Sequence, residues 1–474
     1  MATAPRQFPA IDISRHKLFI SSLIVLVVIA LALLIQLNAP GESEAIYYVV
    51  SGAIVLISFT FLLRPLVCLS LVLAYLVSPA PLFFDVNYSA AITSLLIVNC
   101  FISMVLASGF RTTFDRKSLR LFFFLCAIAC AGTMYGIARG NRASTALGDF
   151  YQIIEFALLL FLAQTLIKTE RQFRLIADFL ISATIVTSIL QMADALMGAH
   201  YLPHLNQRGV DVARTINLNA PIALVALMAT LATARSKKWV IAGIAVLAVN
   251  LIWSFTRGLW VAALAAVVFL VVIQGGPVRR MVLQFTFFTC IIALPVAYLS
   301  GLGTVIADRI SYSVLQVESA SSEEQVLSGR RLLEYFLILP SVAEHPIAGK
   351  GLGATFEIAG EAVLEGPKGE QVDHHYIHNL YLLVAFRLGI PALLLFLIAL
   401  WKYFRKAIKN SKTLDLSLHS RALLAGLIAA MFGEVILSLT SPTFLNHPTA
   451  GVLGCIMAIT TNALQPDPSL QSES

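Results

Sequence analysis

The sequence predicts an all-α polytopic membrane protein with about 12–14 transmembrane helices and one large extracytoplasmic loop. Three observations carry that expectation. Hydrophobic residues make up 58% of the 474-residue chain and charged residues only 12%, with a mean hydropathy of +0.84. A soluble chain carries about a quarter charged residues. The apolar residues also gather in runs of roughly twenty, the length a helix needs to cross the hydrocarbon core. Finally, lysine and arginine concentrate in alternate connections, as the positive-inside bias demands.

In chain order, residues 1–17 form a cytoplasmic segment, and the first apolar run, 18–37, follows. That run exceeds the apolar region of a signal peptide, and no small-residue cleavage pattern succeeds it, so it reads as a retained helix. Further runs fall at 45–63, 66–84, 89–110, 120–138, 151–167, 175–198, 219–235, 239–255, 259–274 and 281–300. The region 18–300 therefore holds about eleven helices. Residues 301–378 form the large loop. Apolar runs at 379–401, 421–440 and 447–464 complete the membrane region, and 465–474 is a cytoplasmic tail expected to be disordered.

The even-numbered connections hold Arg64; Arg111, Arg116 and Lys117; Lys168, Arg171 and Arg174; Lys237 and Lys238; Arg279 and Arg280; and Lys402, Arg405 and Lys406. Both termini are thus placed inside, and the acidic 301–378 loop outside. The net charge of +7 follows from the same bias and calls for no nucleic-acid partner. Within the loop, Gly329–Glu344 is an amphipathic segment whose Leu332, Leu333, Phe336 and Leu337 suit the membrane interface, and Pro340 should kink or break it. The six cysteines all lie in apolar runs and read as small buried hydrophobes.

Polar residues on the outer side are the candidates for chemistry. Arginine should avoid this side, yet Arg208 and Arg214 precede one span, Arg257 sits in the tight turn SFTRGLW, and Arg330 and Arg331 lie in the large loop. Arg139 and Arg142 occupy another outer turn. Asn217 and Asn219 can cap the helix that follows Arg214, with Pro221 suited to its first turn. A helix N-terminus beside an arginine is a natural phosphate site, since free N–H groups and a planar bidentate donor converge there. Pairing with acids such as Asp211 and Asp149 is the competing explanation for any one of these arginines. His374, His375 and His378 lie close together, but their apolar flanks offer no further carboxylate at ligand spacing, so no metal is expected. His378, beside Asn379 where a span begins, suits a general base. Glu434 is an ionisable group inside a span and a functional candidate on that ground.

The order SGRR…EHPIAGKGLGATF…HNLYLLVAFRLGIPALLLF resembles the O-antigen ligase and Wzy-polymerase superfamily, as do SFTRGLW and RTINLNAP. The resemblance is close over about 214–397 and covers the span layout loosely. It implies a GT-C-like helical glycosyltransferase without cofactor, in a bacterial inner membrane, with its active site facing the periplasm. Its implied donor is a glycan on undecaprenyl diphosphate, and its acceptor another glycan or a lipid A core. The implied roles put Arg214, Arg257 and one of Arg330 and Arg331 on the diphosphate and His378 in catalysis, with Asn379, Tyr381, Glu434 and Arg208 in support. One departure concerns the charge before the Gly that follows HN: many members carry Glu where this chain has Arg387. Ligase chemistry is the first expectation, polymerisation of repeat units the alternative. Transport of a small anion would also explain many spans and Glu434, but it would call for broken helices and internal repeats, which the sequence lacks.

Overall fold

Helix-forming runs dominate what the computed structural model describes: residues 61, 64–78, 86–107, 115–197, 204–207, 210–213, 217–254, 256–276, 278–284, 286, 323–357, 373–374 and 377–466. The expected span 18–37, nearly all of 45–63 and most of the large loop lie outside these residues. The helices are α1 (Pro65–Val77), α2 (Val86–Ala107), α3 (Arg116–Ala138), α4 (Ala143–Leu166), α5 (Glu170–Met197) and α6 (Ala220–Thr230). They continue with α7 (Lys237–Trp253), α8 (Arg257–Ile273), α9 (Glu323–Glu344), α10 (Leu380–Thr413), α11 (Leu418–Leu437) and α12 (Thr449–Thr461). Two short antiparallel ribbons accompany them: β1 (His204–Gln207) with β2 (Val210–Ala213), and β3 (Phe356–Glu357) with β4 (Asp373–His374).

Stretches of α2, α3, α4, α5, α10 and α11 are long and apolar enough to cross a membrane. The protein is an all-α, multi-pass membrane protein. Small residues decide which helices pack closest, because hydrocarbon offers no hydrophobic drive between helices. A Cβ on Gly433 would meet Ala262 O at 2.6 Å, one on Gly426 would meet Ala226 Cα at 2.8 Å, and one on Gly454 would meet Phe156 O at 2.5 Å. These contacts seat α11 on α8 and α6, and α12 on α4.

Several expectations change in detail. Pro340 lies inside α9 and does not end it. The carbonyl it would deprive of a partner belongs to Phe336, on the exposed face where water can satisfy it. The expected interfacial stripe of α9 divides: Phe336 is exposed, whereas Leu337 packs against a small core of Ile338, Val342, Phe356, Ile377 and Phe386. Cys130 is exposed on α3 rather than buried.

The expected span 379–401 becomes the 34-residue α10. A straight helix of that length would be about 50 Å long, well beyond a bilayer core of about 30 Å. The helix is interrupted at Gly389 (φ 85°, ψ 169°), just before Pro391. Two carbonyls lose their helical partners there: Pro391 has no N–H for Arg387 O, and Ile390 N donates instead to Pro346 O at 2.8 Å. The loop at 345–353 supplies replacements. Lys350 N donates to Phe386 O at 2.7 Å and Gly351 N to Arg387 O at 2.9 Å. Leu352 N reaches Gly132 O of α3 at 3.1 Å, and Asn141 Nδ2 donates to both Lys350 O and Leu352 O at 3.0 Å. Gly351 (φ 87°) lies so close to α3 that a Cβ would sit 2.3 Å from Gly136 Cα.

A buried ion pair fastens the same junction. Arg387 Nη1 donates to Asp149 Oδ1 at 2.7 Å, with each side chain 3% exposed, and Asp149 Oδ2 accepts from Gly353 N at 2.7 Å. This is the role of Arg387 that the departure from the family pattern left open. Asp149, weighed above as a partner for an outer arginine, is the partner of Arg387.

Asp149→Asn is expected to destabilise the fold by about 3–5 kcal/mol, because it leaves Arg387 charged and buried. Combining it with Arg387→Met should recover most of that loss, as read from thermal unfolding in detergent.

Candidate functional site

The polar side chains assemble where α9, α10 and α11 meet. Helix α10 starts at an Asn N-cap: Asn379 Oδ1 accepts from Leu382 N at 3.1 Å, satisfying one of the orphan donors of the first turn. Its amide Nδ2 donates to Tyr335 Oη at 3.0 Å. Leu380 N donates to Ser438 O at 2.9 Å and Tyr381 Oη to Val435 O at 2.6 Å, both at the exit of α11. Tyr381 is thereby a strut between helices, its hydroxyl proton already engaged.

His378 sits immediately before this cap. Its ring Nδ1 lies 2.7 Å from Glu334 Oε1, and its backbone N–H donates to Glu334 Oε2 at 3.3 Å. The histidine side chain is 41% exposed and the glutamate 10%. A buried, ionised carboxylate can only accept, so it holds the proton on Nδ1 and leaves the basic lone pair on Nε2. Consecutive residues of α9, Glu334 and Tyr335, therefore clamp consecutive residues of the α10 entry, His378 and Asn379. Glu334 and Tyr335 are not among the candidates that the sequence pattern marks. A discoverable signal existed: Glu334 is an acid within the apolar turn LLEYF.

Arg257 is brought to the same end of α11. It is the first residue of α8, whose N-cap Thr256 makes no side-chain capping bond. Its neighbour Gly258 is pressed against the α11 exit, where a Cβ would meet Thr440 Oγ1 at 2.6 Å. One turn of α11 thus touches the start of α8 on one side and the start of α10 on the other, although residues 257 and 378 are far apart in sequence. Glu434 lies one turn deeper, fully buried, and its carboxylate oxygens have no hydrogen-bond partner among the described residues. The polar group turned toward it is Thr443, whose hydroxyl lies 3.0 Å from Ser438 Oγ.

Arg208 and Arg214 fall outside the described residues. Arg330 and Arg331 belong to α9, one turn before Glu334, and their side chains also lie outside them. Asn219 holds the N-cap position of α6 without a side-chain bond. Asn217 instead accepts from Asn219 N at 3.1 Å and donates to Ser188 Oγ at 2.9 Å, tying the chain just after Arg214 to α5. His374 is a strand residue paired with Phe356, and Arg139 donates to His345 Nε2 at 3.1 Å beside the 345–353 loop.

A family model described as O-antigen ligase matches residues 242–397. This segment is an O-antigen ligase family domain. It runs from α7 to just past the break in α10, so it contains Arg257, Arg330, Arg331, Glu334, His378, Asn379 and Tyr381. Arg208, Arg214 and Glu434 lie beyond its limits. No curated protein matches the chain. The ligase family implies lipid-linked glycan substrates in a bilayer setting, which suits a multi-pass helical chain.

Asn379→Ala removes both the cap and the Tyr335 contact. It is expected to lower stability by about 1 kcal/mol through the cap alone, measured as a lower thermal midpoint in detergent with the helix content unchanged.

Proposed function

We propose that the protein transfers a glycan en bloc from undecaprenyl diphosphate to an acceptor hydroxyl at the periplasmic face of a bacterial inner membrane. The observation that supports this reading best is the His378–Glu334 contact of 2.7 Å, set inside the O-antigen ligase domain at the mouth of the helical bundle. The acceptor hydroxyl gives its proton to His378 Nε2 as its oxygen attacks the anomeric carbon. The bond from that carbon to the diphosphate oxygen breaks, and the configuration inverts. Glu334 stabilises the imidazolium that forms and keeps the ring in its working tautomer, as a buried carboxylate does for histidine in acyl transfer.

Diphosphate leaves as an anion and needs charge neutralisation more than a proton. Arg257 supplies a planar donor at the positive end of the α8 dipole. Arg214, one of Arg330 and Arg331, and Arg208 in support complete the anion site in this proposal. Glu434, beneath the α11 exit, is a supporting residue in this proposal. The apolar helix faces hold the polyprenyl chain, and the acceptor is the lipid A core in a ligase or another lipid-linked glycan in a polymerase.

His378→Ala is expected to abolish transfer in proteoliposomes supplied with a defined lipid-linked oligosaccharide, with membrane insertion intact; undiminished turnover would remove His378 from the mechanism. Glu334→Gln should lower kcat on the order of a hundredfold while leaving KM near the wild-type value. Exhaustive EDTA treatment is expected to leave transfer unchanged, whereas loss on chelation would bring His374 and His375 back as ligands. Product size separates the two acceptors: single addition to a lipid A core marks a ligase, and a growing ladder on the carrier marks a polymerase.

A further inference from the structure

Away from the His378 site, α1, α2, α4 and the connector between α11 and α12 enclose a second array of reactive groups. His447 Nδ1 lies 2.7 Å from Glu155 Oε2, and its Nε2 lies 2.7 Å from Ser89 Oγ. The Tyr75 hydroxyl donates to Ser89 Oγ from 3.5 Å, a long contact that leaves it weakly committed. Ser89 is 0% exposed, Glu155 and Tyr75 1% each, and the His447 side chain 5%. Four separate elements contribute one group each, and neither the glycan chemistry nor the helix packing described above uses them.

The directions of these hydrogen bonds follow from the groups. With Glu155 ionised, Oε2 can only accept, so Nδ1 carries the ring proton. Nε2 then bears the lone pair, and the serine hydroxyl must donate to it. Nucleophile, base and orienting carboxylate thus stand in the relation that defines an activated serine, which is recognised by geometry and roles rather than by sequence order. The Tyr75 hydroxyl adds a donor beside the nucleophile, where an oxyanion would develop.

We propose that Ser89, His447, Glu155 and Tyr75 form a second reactive centre that takes the acyl group of a lipid carboxylic ester. Ser89 Oγ bonds to the ester carbonyl carbon while its proton moves to His447 Nε2, and the Tyr75 hydroxyl meets the oxyanion. Collapse breaks the carbon–oxygen bond to the alcohol, which departs with the proton from His447 and leaves an acyl-serine. The class of substrate follows from location. Ser89 begins a stretch of α2 long and apolar enough to cross a membrane, with Leu95, Val98, Phe101 and Ile102 exposed on its far face, so the ester of this proposal is one dissolved in the bilayer.

The test is covalent labelling of the full-length protein in detergent with an alkyl fluorophosphonate, followed by mass analysis of the peptide that contains Ser89. The expected result is an adduct on Ser89 in the wild type, and labelling slowed on the order of a hundredfold in His447→Asn. His378→Ala should keep the full labelling rate, which separates this centre from the glycan site. Absence of a Ser89 adduct in the folded wild type overturns the proposal without recourse to any variant. An unchanged rate in a folded His447→Asn protein overturns the role of the array.

Discussion

Two backbone carbonyls released at the Gly389–Pro391 break in α10 fix how α10 packs against the 345–353 loop, α3 and α4. In a continuous helix Phe386 O and Arg387 O would be satisfied four residues on. Here Pro391 cannot donate and Ile390 N turns to Pro346 O, so both acceptors become docking points for Lys350 N and Gly351 N. An unpaired polar group at membrane depth costs several kcal/mol, which makes this exchange obligatory rather than decorative. The Arg387–Asp149 pair, completed by Gly353 N, adds a charged bolt through α4. The 345–353 loop, α3, α4 and α10 are therefore one unit.

This unit gives α10 two tasks. Its first segment, Leu380–Leu388, reaches from the exit of α11, where Ser438 O holds Leu380, to the loop packed on α3 and α4. The remainder, from Ile390, crosses the bundle. The bend is placed where the loop can repay it in hydrogen bonds. The C-terminal end of α9 runs directly into this loop, so the position of Glu334 against His378 is tied to the same junction. Charge placement is economical: the carboxylate is buried, the imidazole is open, and the arginine of the break is neutralised by its own partner.

Much of the candidate site was legible in sequence because its residues break the local pattern. His378 and Asn379 stand at an abrupt change from polar to apolar, Arg257 interrupts two spans, and Glu434 is an acid in an oily helix. Glu334 escaped notice because an acid in an amphipathic loop segment is unremarkable until its partner is known, and that partner is 44 residues away. Arg387 looked like an electrostatic anomaly for the same reason: Asp149 lies 238 residues earlier. The Ser89–His447–Glu155 array has no sequence signature at all, since its members are scattered over three elements and each resembles an ordinary buried polar residue.

Composition and periodicity by themselves determined that this chain crosses a membrane as helices, because apolar runs of that length have no other stable course through hydrocarbon. They also determined where helices could begin, through caps such as Asn379 and breakers such as Pro391. Tertiary structure alone decided which of those beginnings share one mouth. The starts of α8 and α10 meet the same end of α11 because Gly258 lets α8 press on the α11 exit while Ser438 O captures Leu380. Such contacts depend on backbone approach distances and on carbonyls freed by a break, quantities that no linear pattern of residue types encodes.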